Sequence, residues 1–271
     1  MRGSSRGAAR EVQAAFDSSL SRRDQWDVLA DELFAVTAVV DGSASLRRAL
    51  ADPSRPTGDK QDLARALFGG KVGENTAALV AEVVGQRWAT ERDLGDTLEA
   101  LAVQALLAEA ERHGRIDQVE DELFRFERIV AGNADLRDTL ASRNTDALGK
   151  AALVYKLLEG RSAPETMRLA QQAVREPRGR RLDLVLESYL RLAARRRDEL
   201  TALVTVATSL TGEQLDRLRS ALEVHYAKSV NLQVVQDPTV MGGIRVQVGD
   251  EVVDGTVLRR LDEARRHVTG G

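Results

Sequence analysis

The chain has 271 residues, a formal net charge of −3 and no cysteine. The lack of cysteine excludes disulfide scaffolding, thiolate zinc sites and thiol catalysis. Hydrophobic residues make up 43% of the chain and aromatic residues only 4%, which favours aliphatic helical packing, and the near-neutral charge implies no polyanionic partner. No apolar run approaches the roughly 18 residues of a membrane helix, and the first residues lack the apolar segment of a secretory signal. We therefore expect a soluble, intracellular protein with two or three small domains.

The first two hundred residues carry apolar residues at helical spacing, separated by short polar or glycine-containing segments. Gly114 follows His113 and suits the left-handed position after a helix C-terminus. Steps of three and four place one apolar stripe on a single helix face: Trp26, Leu29, Leu33, Val36 and Val40. We predict helices at about 6–20, 26–41, 44–50, 59–68, 74–88 and 93–112.

An internal repeat relates two parts of this helical region at a spacing of 90 residues. Residues 26–50 align with residues 116–140, and the apolar stripe is retained together with identical charged and glycine positions. Any two amphipathic helices would share a stripe, but the sequence Asp-Glu-Leu-Phe at both 31–34 and 121–124 indicates a duplication. We therefore predict two tandem helical bundles, with the helix at 93–112 closing the first and opening the second.

Two features of the second copy lead to local predictions. Ser162 and Glu165 have the spacing of a capping box, with Pro164 in the first turn of a helix. Several arginines are interpreted as solvated helix ends, because no aromatic residues interleave with them as in nucleic-acid binding. These arginines are Arg178, Arg180, Arg181 and the triplet at 195–197.

After residue 198 the pattern changes to short β-branched runs. Residues 199–208 predict a strand, and Thr211 with Gln214 has capping-box spacing. The helix that follows carries Leu215, Leu218, Leu222 and Tyr226 on one face. Further strands are predicted at 231–235, at 243–248, where Ile244, Val246 and Val248 share a face, and at 251–254, before a last helix.

The most specific motif lies between residues 231 and 268. An Asp-Pro leads to a glycine pair, an alternating strand, a Gly-Asp hairpin turn and an Asp-Gly before the final helix. Its residues are Asp237, Pro238, Met241, Gly242, Gly243, Ile244, Arg245, Gly249, Asp250, Asp254 and Gly255. In this order and without a gap, they resemble the C-terminal signature of the delta subunit of F-type ATP synthase, the family of the mitochondrial oligomycin-sensitivity-conferring protein.

The resemblance extends into the helical region. The segments Leu-Arg-x-x-Leu at 46–50 and Ala-Leu-Phe-Gly-Gly at 66–70 are similar to family elements. The family's first-helix sequence, Tyr-Ala-x-Ala-Leu, is missing from residues 8–20, whereas residues 102–109 (AVQALLAE) are closer to it. The family has one helical domain, so the chain carries an additional one, and either copy can play the family's standard role. We predict a mainly α fold with domains at 1–112, 113–200 and 201–271, the last a small α+β unit.

The resemblance implies a non-catalytic role at the cytoplasmic face of the cell membrane. The protein is expected to be a stator subunit that joins the catalytic head to the membrane-anchored b subunits and resists rotor torque. The C-terminal domain would bind b, here expected as a separate polypeptide, and a groove would receive N-terminal helices of alpha subunits. The additional bundle, placed at 116–197, would grip b again or a second alpha subunit. In the first copy the groove would involve Val12, Ala15, Phe16, Leu79 and Val83, which fit ordinary core positions equally well.

No residue pattern indicates an active site, a cofactor site or a metal site. Gly69-Gly70-Lys71 lacks the spacing of a phosphate-binding loop, and His113, His225 and His267 stand singly without ligand spacing. The alternative is a free-standing helical adaptor that shares only the C-terminal hairpin with the family. Gene neighbourhood would separate the two, since a delta subunit is expected between the genes for b and alpha.

Overall fold

The structure is a computed structural model that describes residues 3–21, 26–142, 145–198, 200–226, 228–237, 243–248 and 251–254. The chain divides into two compact units. The first comprises Met1–Ala15 and Gln25–Arg197, and the second comprises Phe16–Asp24 and Asp198–Gly271. The fold class is confirmed, because helices dominate and the described strands all follow residue 199.

Eleven helices precede the first strand among the described residues. They are α1 (Gly3–Ser21), α2 (Trp26–Gly42), α3 (Ala44–Ala51), α4 (Thr57–Phe68), α5 (Glu74–Gly85), α6 (Glu91–Arg112), α7 (Ile116–Gly132), α8 (Ala134–Ala141), α9 (Ala147–Leu158), α10 (Pro164–Arg175) and α11 (Leu182–Asp198). The predicted end of α6 is confirmed, since Gly114 adopts a φ of 66°.

The internal repeat is visible in the helix boundaries. The four helices α2 to α5 recur as α7 to α10, and each boundary is displaced by 90 residues. Hydrogen bonds repeat as well: Ser43 caps α3 by accepting from the Leu46 amide at 3.2 Å, and Asn133 caps α8 by accepting from the Leu136 amide at 3.0 Å. The apolar stripe is buried in both copies, at Leu29, Leu33, Val36 and Val40 and at Val119, Leu123, Phe126 and Val130.

Helix α6 is shared by the two bundles, as the sequence predicts. It packs against α2, α3 and α5 of the first copy and against α7 and α10 of the second. A helix that contacts neighbours all around must be apolar all around, and its C-terminal half meets this condition. The buried residues there are Leu101, Ala102, Val103, Ala105, Leu106, Leu107, Ala108 and Ala110. The predicted boundary at residue 112 therefore coincides with the end of a helix that belongs to both bundles, and the division into separate helical domains stays a prediction.

The N-termini of α5 and α10 are capped from a distance by a repeated glutamate. Glu32 accepts from the Gly73 amide at 2.8 Å and from the Thr76 hydroxyl. Ninety residues later, Glu122 accepts from the Ala163 amide at 2.8 Å and from the Thr166 hydroxyl at 2.6 Å. A carboxylate at a helix N-terminus also interacts favourably with the helix dipole.

This arrangement corrects the capping box predicted at Ser162. The Ser162 hydroxyl donates to the Leu158 carbonyl, and the Glu165 carboxylate binds Arg115 instead of a backbone amide. Pro164 does lie in the first turn of α10. The local spacing failed because the helix begins one residue later, with Ala163 at the N-cap position, and Glu122, 41 residues upstream, accepts from the Ala163 amide instead.

Replacing Glu122 by alanine should lower the free energy of unfolding by about 1–3 kcal/mol, because the two hydrogen bonds that cap α10 are lost together with an exposed one from Gln118. The matched control is Asp121→Ala on the same helix. Asp121 is half exposed and pairs with Arg125 one turn away on the same helix, so its loss should change stability by less than about 0.5 kcal/mol. Urea titration of both variants measures the difference, and equal effects would contradict the distant cap.

The second unit contains a four-stranded sheet in the order β2-β1-β3-β4. Its strands are β1 (Leu200–Val206), β2 (Val230–Gln236), β3 (Ile244–Val248) and β4 (Glu251–Asp254), with α12 (Gly212–Tyr226) between β1 and β2. The pair β1 and β2 is parallel, whereas β1–β3 and β3–β4 are antiparallel. The predicted strands are thus confirmed, and the last predicted helix lies outside the described residues.

The core of this unit forms between α12 and one face of the sheet. Val204, Val206, Val246 and Val248 are buried there, and the predicted apolar face of α12 packs against them. Its members are Leu215, Leu218, Leu222 and Tyr226. The second predicted capping box is confirmed, since the Gln214 amide donates to Thr211 Oγ1 at 3.3 Å and the Thr211 amide donates to Gln214 Oε1 at 2.9 Å.

Candidate binding surfaces

A buried ionic cluster ties the two helical copies together within the first unit. Arg178, in the loop between α10 and α11, donates to Asp96 at 2.8 Å and to Glu99 at 2.7 Å, both on α6. Its guanidinium also pairs with Asp41 at the end of α2. The cluster therefore joins helices of the first copy to a loop of the second.

Glu99 is the centre of this cluster. Its side chain is only 4% exposed and accepts from Arg178, from Arg180 at 2.6 Å and from the Tyr189 hydroxyl at 2.9 Å. Three carboxylates, those of Asp41, Asp96 and Glu99, thus face two guanidinium groups. Each buried charge has a hydrogen-bonded partner of opposite sign, which buried charges require.

Titration behaviour follows from these contacts. Burial alone would lower the pKa of Arg178, but its hydrogen bonds with Asp41 and Glu99 outweigh burial and raise that pKa above its ordinary value. Burial, reinforced by the charge of Glu99, raises the pKa of Tyr189 well above its usual range. Arg178 therefore stays charged and Tyr189 stays neutral at physiological pH.

The backbone of Arg178 has a φ of 55°, and it is followed by Gly179 at 70°. A left-handed conformation costs a non-glycine residue about 1–2 kcal/mol, and the ion pairs hold Arg178 in it. Gly95 makes room for the guanidinium, since a Cβ atom there would collide with Arg178 Nη2. A larger residue at position 95 would therefore displace the Arg178 guanidinium from its place beside Asp41.

The cluster corrects the interpretation of the arginines as solvated helix ends. Arg178 and Arg180 have side chains only 8% and 17% exposed, whereas that of Arg181 is 80% exposed, as expected. Arg196, in the triplet at 195–197, is also buried and binds Glu111 of α6 at 2.7 Å. These basic residues serve packing between helices, which composition alone does not reveal.

The residues predicted to line an alpha-subunit groove are mostly interior. Val12, Phe16, Leu79 and Val83 are buried, and Ala15 is partly exposed. A side chain buried in the described structure cannot contact a partner directly, so an alpha helix bound to this structure would contact neighbouring residues instead. The location of the groove stays a prediction.

The signature residues are described in part. Asp237 follows β2 and its amide donates to the Val206 carbonyl at 2.9 Å, and Gly243 has a φ of 87°, which favours glycine. At the start of β3, Ile244 is partly exposed and Arg245 is exposed, and Asp254 lies opposite Arg245 in the backbone register of β3 and β4. The other members lie outside the described residues: Pro238, Met241, Gly242, Gly249, Asp250 and Gly255.

Across the described parts of the chain, no group of three acidic or histidine side chains could hold a metal ion. None of the described helices is both long enough and apolar enough to cross a membrane. The arrangement is that of a mainly helical protein of two compact units, in which clustered charged side chains serve packing between helices.

Comparison of this chain with known proteins identifies its family. The model of the ATP synthase delta (OSCP) subunit matches residues 103–268. An ATP synthase subunit delta of Streptomyces avermitilis is 46% identical, with 97% of this chain and 98% of that protein covered. The subunit delta of Nocardia farcinica is 40% identical over 99% of this chain and 100% of its own length. The chain belongs to the ATP synthase delta (OSCP) family and is a subunit of ATP synthase.

A further relative is the subunit delta of Acidothermus cellulolyticus, 48% identical over 88% of this chain and 86% of its own length. A chain in a mitochondrial ATP synthase hexamer structure from Toxoplasma gondii is 16% identical, covers 62% of this chain and 94% of its own, and has a TM-score of 0.28, too low to add to the assignment.

These matches decide one question that the sequence left open, whether the chain shares only its C-terminal hairpin with the family. The likeness to relatives spans nearly the whole chain, so it is not confined to the C-terminal hairpin, and the adaptor alternative is wrong. The family model begins within α6 and matches residues 103–268, which comprise the second copy and the C-terminal unit. Which copy is the additional bundle, placed at 116–197 from the sequence, stays a prediction.

Proposed function

We propose that this chain is a non-catalytic stator subunit of a proton-translocating F-type ATP synthase. It joins the catalytic head of alpha and beta subunits to the membrane-anchored b subunits of the peripheral stalk. Proton flow turns the rotor, and the head would turn with it unless an outer connection held it in place. The chain supplies part of that connection and reaches the cytoplasmic face of the membrane only through its partners.

The observation that carries this proposal is the sharing of α6 by two helical bundles in a chain of this family. The shared helix and the cluster around Glu99 make the two copies one compact unit. A connection under continuous torque has to resist deformation, and buried, fully paired contacts between bundles resist it better than a flexible linker. The second unit has its own core and offers a second body for binding.

The partners follow from the family. N-terminal helices of alpha subunits bind the helical unit as helices in a groove, and the C-terminal ends of b bind the α+β unit. A connection that lasts through many rotations needs nanomolar affinity or better, which corresponds to about −12 kcal/mol. The first copy adds a second helical surface for the same assembly.

The test removes the chain from the synthase and measures whether the catalytic head stays attached to the membrane. In membranes prepared without the chain, we expect ATPase activity to move from the membrane to the soluble fraction and ATP-driven proton pumping to be lost. Adding the purified full-length chain should restore both. Undiminished pumping in its absence would contradict the proposal.

A synthetic peptide with the sequence of the alpha subunit's N-terminus tests the first partner. It should bind the full chain with a dissociation constant near or below about 10⁻⁶ M as an isolated helix, weaker than in the assembly because only one contact forms. A peptide of the same composition in scrambled order is the control, and equal binding of the two would contradict helix recognition.

A further inference from the structure

Equivalent faces of the two copies differ in their exposure. In the first copy, Ala30 and Phe34 of α2 are 0% and 8% exposed, and α2 packs directly against α6. Their counterparts 90 residues later on α7 are Glu120, which is partly exposed, and Phe124, which is 53% exposed. A phenylalanine that the first copy buries is thus left half in solvent by the second.

The space that Phe124 faces is an open groove between α7 and α11, with a volume of about 480 Å³. Phe124, Leu190 and Ala194 form its apolar part. Charged residues form the rest: Asp117, Glu120, Asp121, Glu187, Arg191 and Arg197. In the first copy, α2 packs directly against α6, so the phenylalanine at the matching position, Phe34, is covered there.

The charges around the groove are predominantly negative, with four carboxylates against two guanidinium groups. Arg191 pairs with Glu187 at 2.7 Å and Arg197 pairs with Glu120 at 2.9 Å. On the α7 side, Asp121 pairs with Arg125 of the same helix, so Asp117 is left as a net charge of −1 next to the exposed phenylalanine. A partner that covers Phe124 must bring apolar side chains and should carry positive charge beside them.

We propose that this groove receives a basic amphipathic helix from another subunit of the assembled synthase. The two helices that bound it each have 17 residues, about 25 Å at 1.5 Å per residue, and a helix laid between them places a row of residues at i, i+3, i+4 and i+7 over Phe124. Its flanking lysines and arginines face the carboxylates of α7. The proposal rests on membership of the synthase and adds a contact to those named above.

The first test places a photo-crosslinker in the assembled enzyme. p-Benzoylphenylalanine replaces Phe124 in the full chain, and the purified synthase is irradiated and analysed by peptide mass spectrometry. The control places the same group at Val39 on α2, which is equally exposed at 53% but lies outside the groove. We expect an adduct from position 124 to a helical segment of another subunit that is rich in lysine and arginine, and none to that segment from position 39.

Three results would overturn the proposal: no adduct from position 124, an adduct only to a second copy of this chain, or an adduct to an acidic or non-helical segment. Each of these can occur in an enzyme that contains the chain and pumps protons normally. In that case the stator role stands and only the groove proposal fails.

The second test concerns charge. With the crosslinker at 124, Asp121→Lys should lower the adduct yield by about tenfold, because a like charge then opposes the basic helix. The control is Asp138→Lys on α8, whose side chain is 79% exposed and does not line the groove. Equal yields in the two variants would overturn the charge complementarity on which the proposal depends, provided that thermal unfolding shows both variants folded.

Discussion

Replacing Arg178 by alanine should lower the free energy of unfolding of the full chain by about 3–5 kcal/mol, the cost of breaking a buried ion pair by removing one partner. The side chain is 8% exposed and pairs with Asp41, Asp96 and Glu99. Without it, Glu99 retains Arg180 and Asp96 retains Arg92, which lies 3.9 Å away, so the three carboxylates lose the cation that they share. Relief of the left-handed backbone at position 178 does not offset this, because alanine has the same conformational restriction.

The same loop contains a matched control. Arg181 is 80% exposed and pairs with Asp183 at 2.5 Å, so Arg181→Ala should change stability by less than about 1 kcal/mol. Urea titration of both variants gives the comparison. Comparable losses would show that removal of any arginine from this loop, and not the buried cluster, determines stability.

The second large effect concerns the shared helix. A fragment of residues 113–271 lacks α6, so α7 and α10 lose the apolar surface against which they pack. We expect the amides of α7 to α10 in this fragment to exchange with solvent without measurable protection, because the bundle has lost its central helix. A fragment of residues 91–271 retains α6 and should keep protected amides in α7 and α10.

Hydrogen exchange followed by mass spectrometry measures both fragments against the full chain. Full protection of α7 to α10 in the fragment of residues 113–271 would show that the second bundle is independent of α6. It would also support the sequence-based boundary at residue 112 as a division between separately folding domains. The expected loss of protection would instead place α6 within the second bundle.

The repeated helices and the short strands could be predicted from the sequence because their signals are local. The repeat spacing of 90 residues predicted the position of α7 from that of α2. The alternation of Ile244, Val246 and Val248 predicted β3 and the face that it turns to the core. The capping box at Thr211 was correct for the same reason, since both of its hydrogen bonds lie within three residues.

Features that depend on distant contacts could not be predicted. Arg178 binds residues 79 to 137 positions away, so nothing near it in the chain distinguishes it from the exposed Arg181. The cap on α10 comes from Glu122, which is distant in sequence, and the prediction of a capping box at the adjacent Ser162 is wrong. Phe34 and Phe124 align in the internal repeat, yet Phe34 is buried and Phe124 is half exposed, and the aligned residues one turn before them are Ala30 and Glu120.

We propose that this subunit joins the head of the synthase to its outer stalk, and electron cryo-microscopy of the intact enzyme, purified with this chain, tests that role most directly. We predict density for the helical unit on the head, in contact with alpha-subunit N-termini, and density for the α+β unit at the ends of the b subunits. An enzyme in which this chain lies on the rotor, or in which the outer stalk is complete without it, would contradict the account.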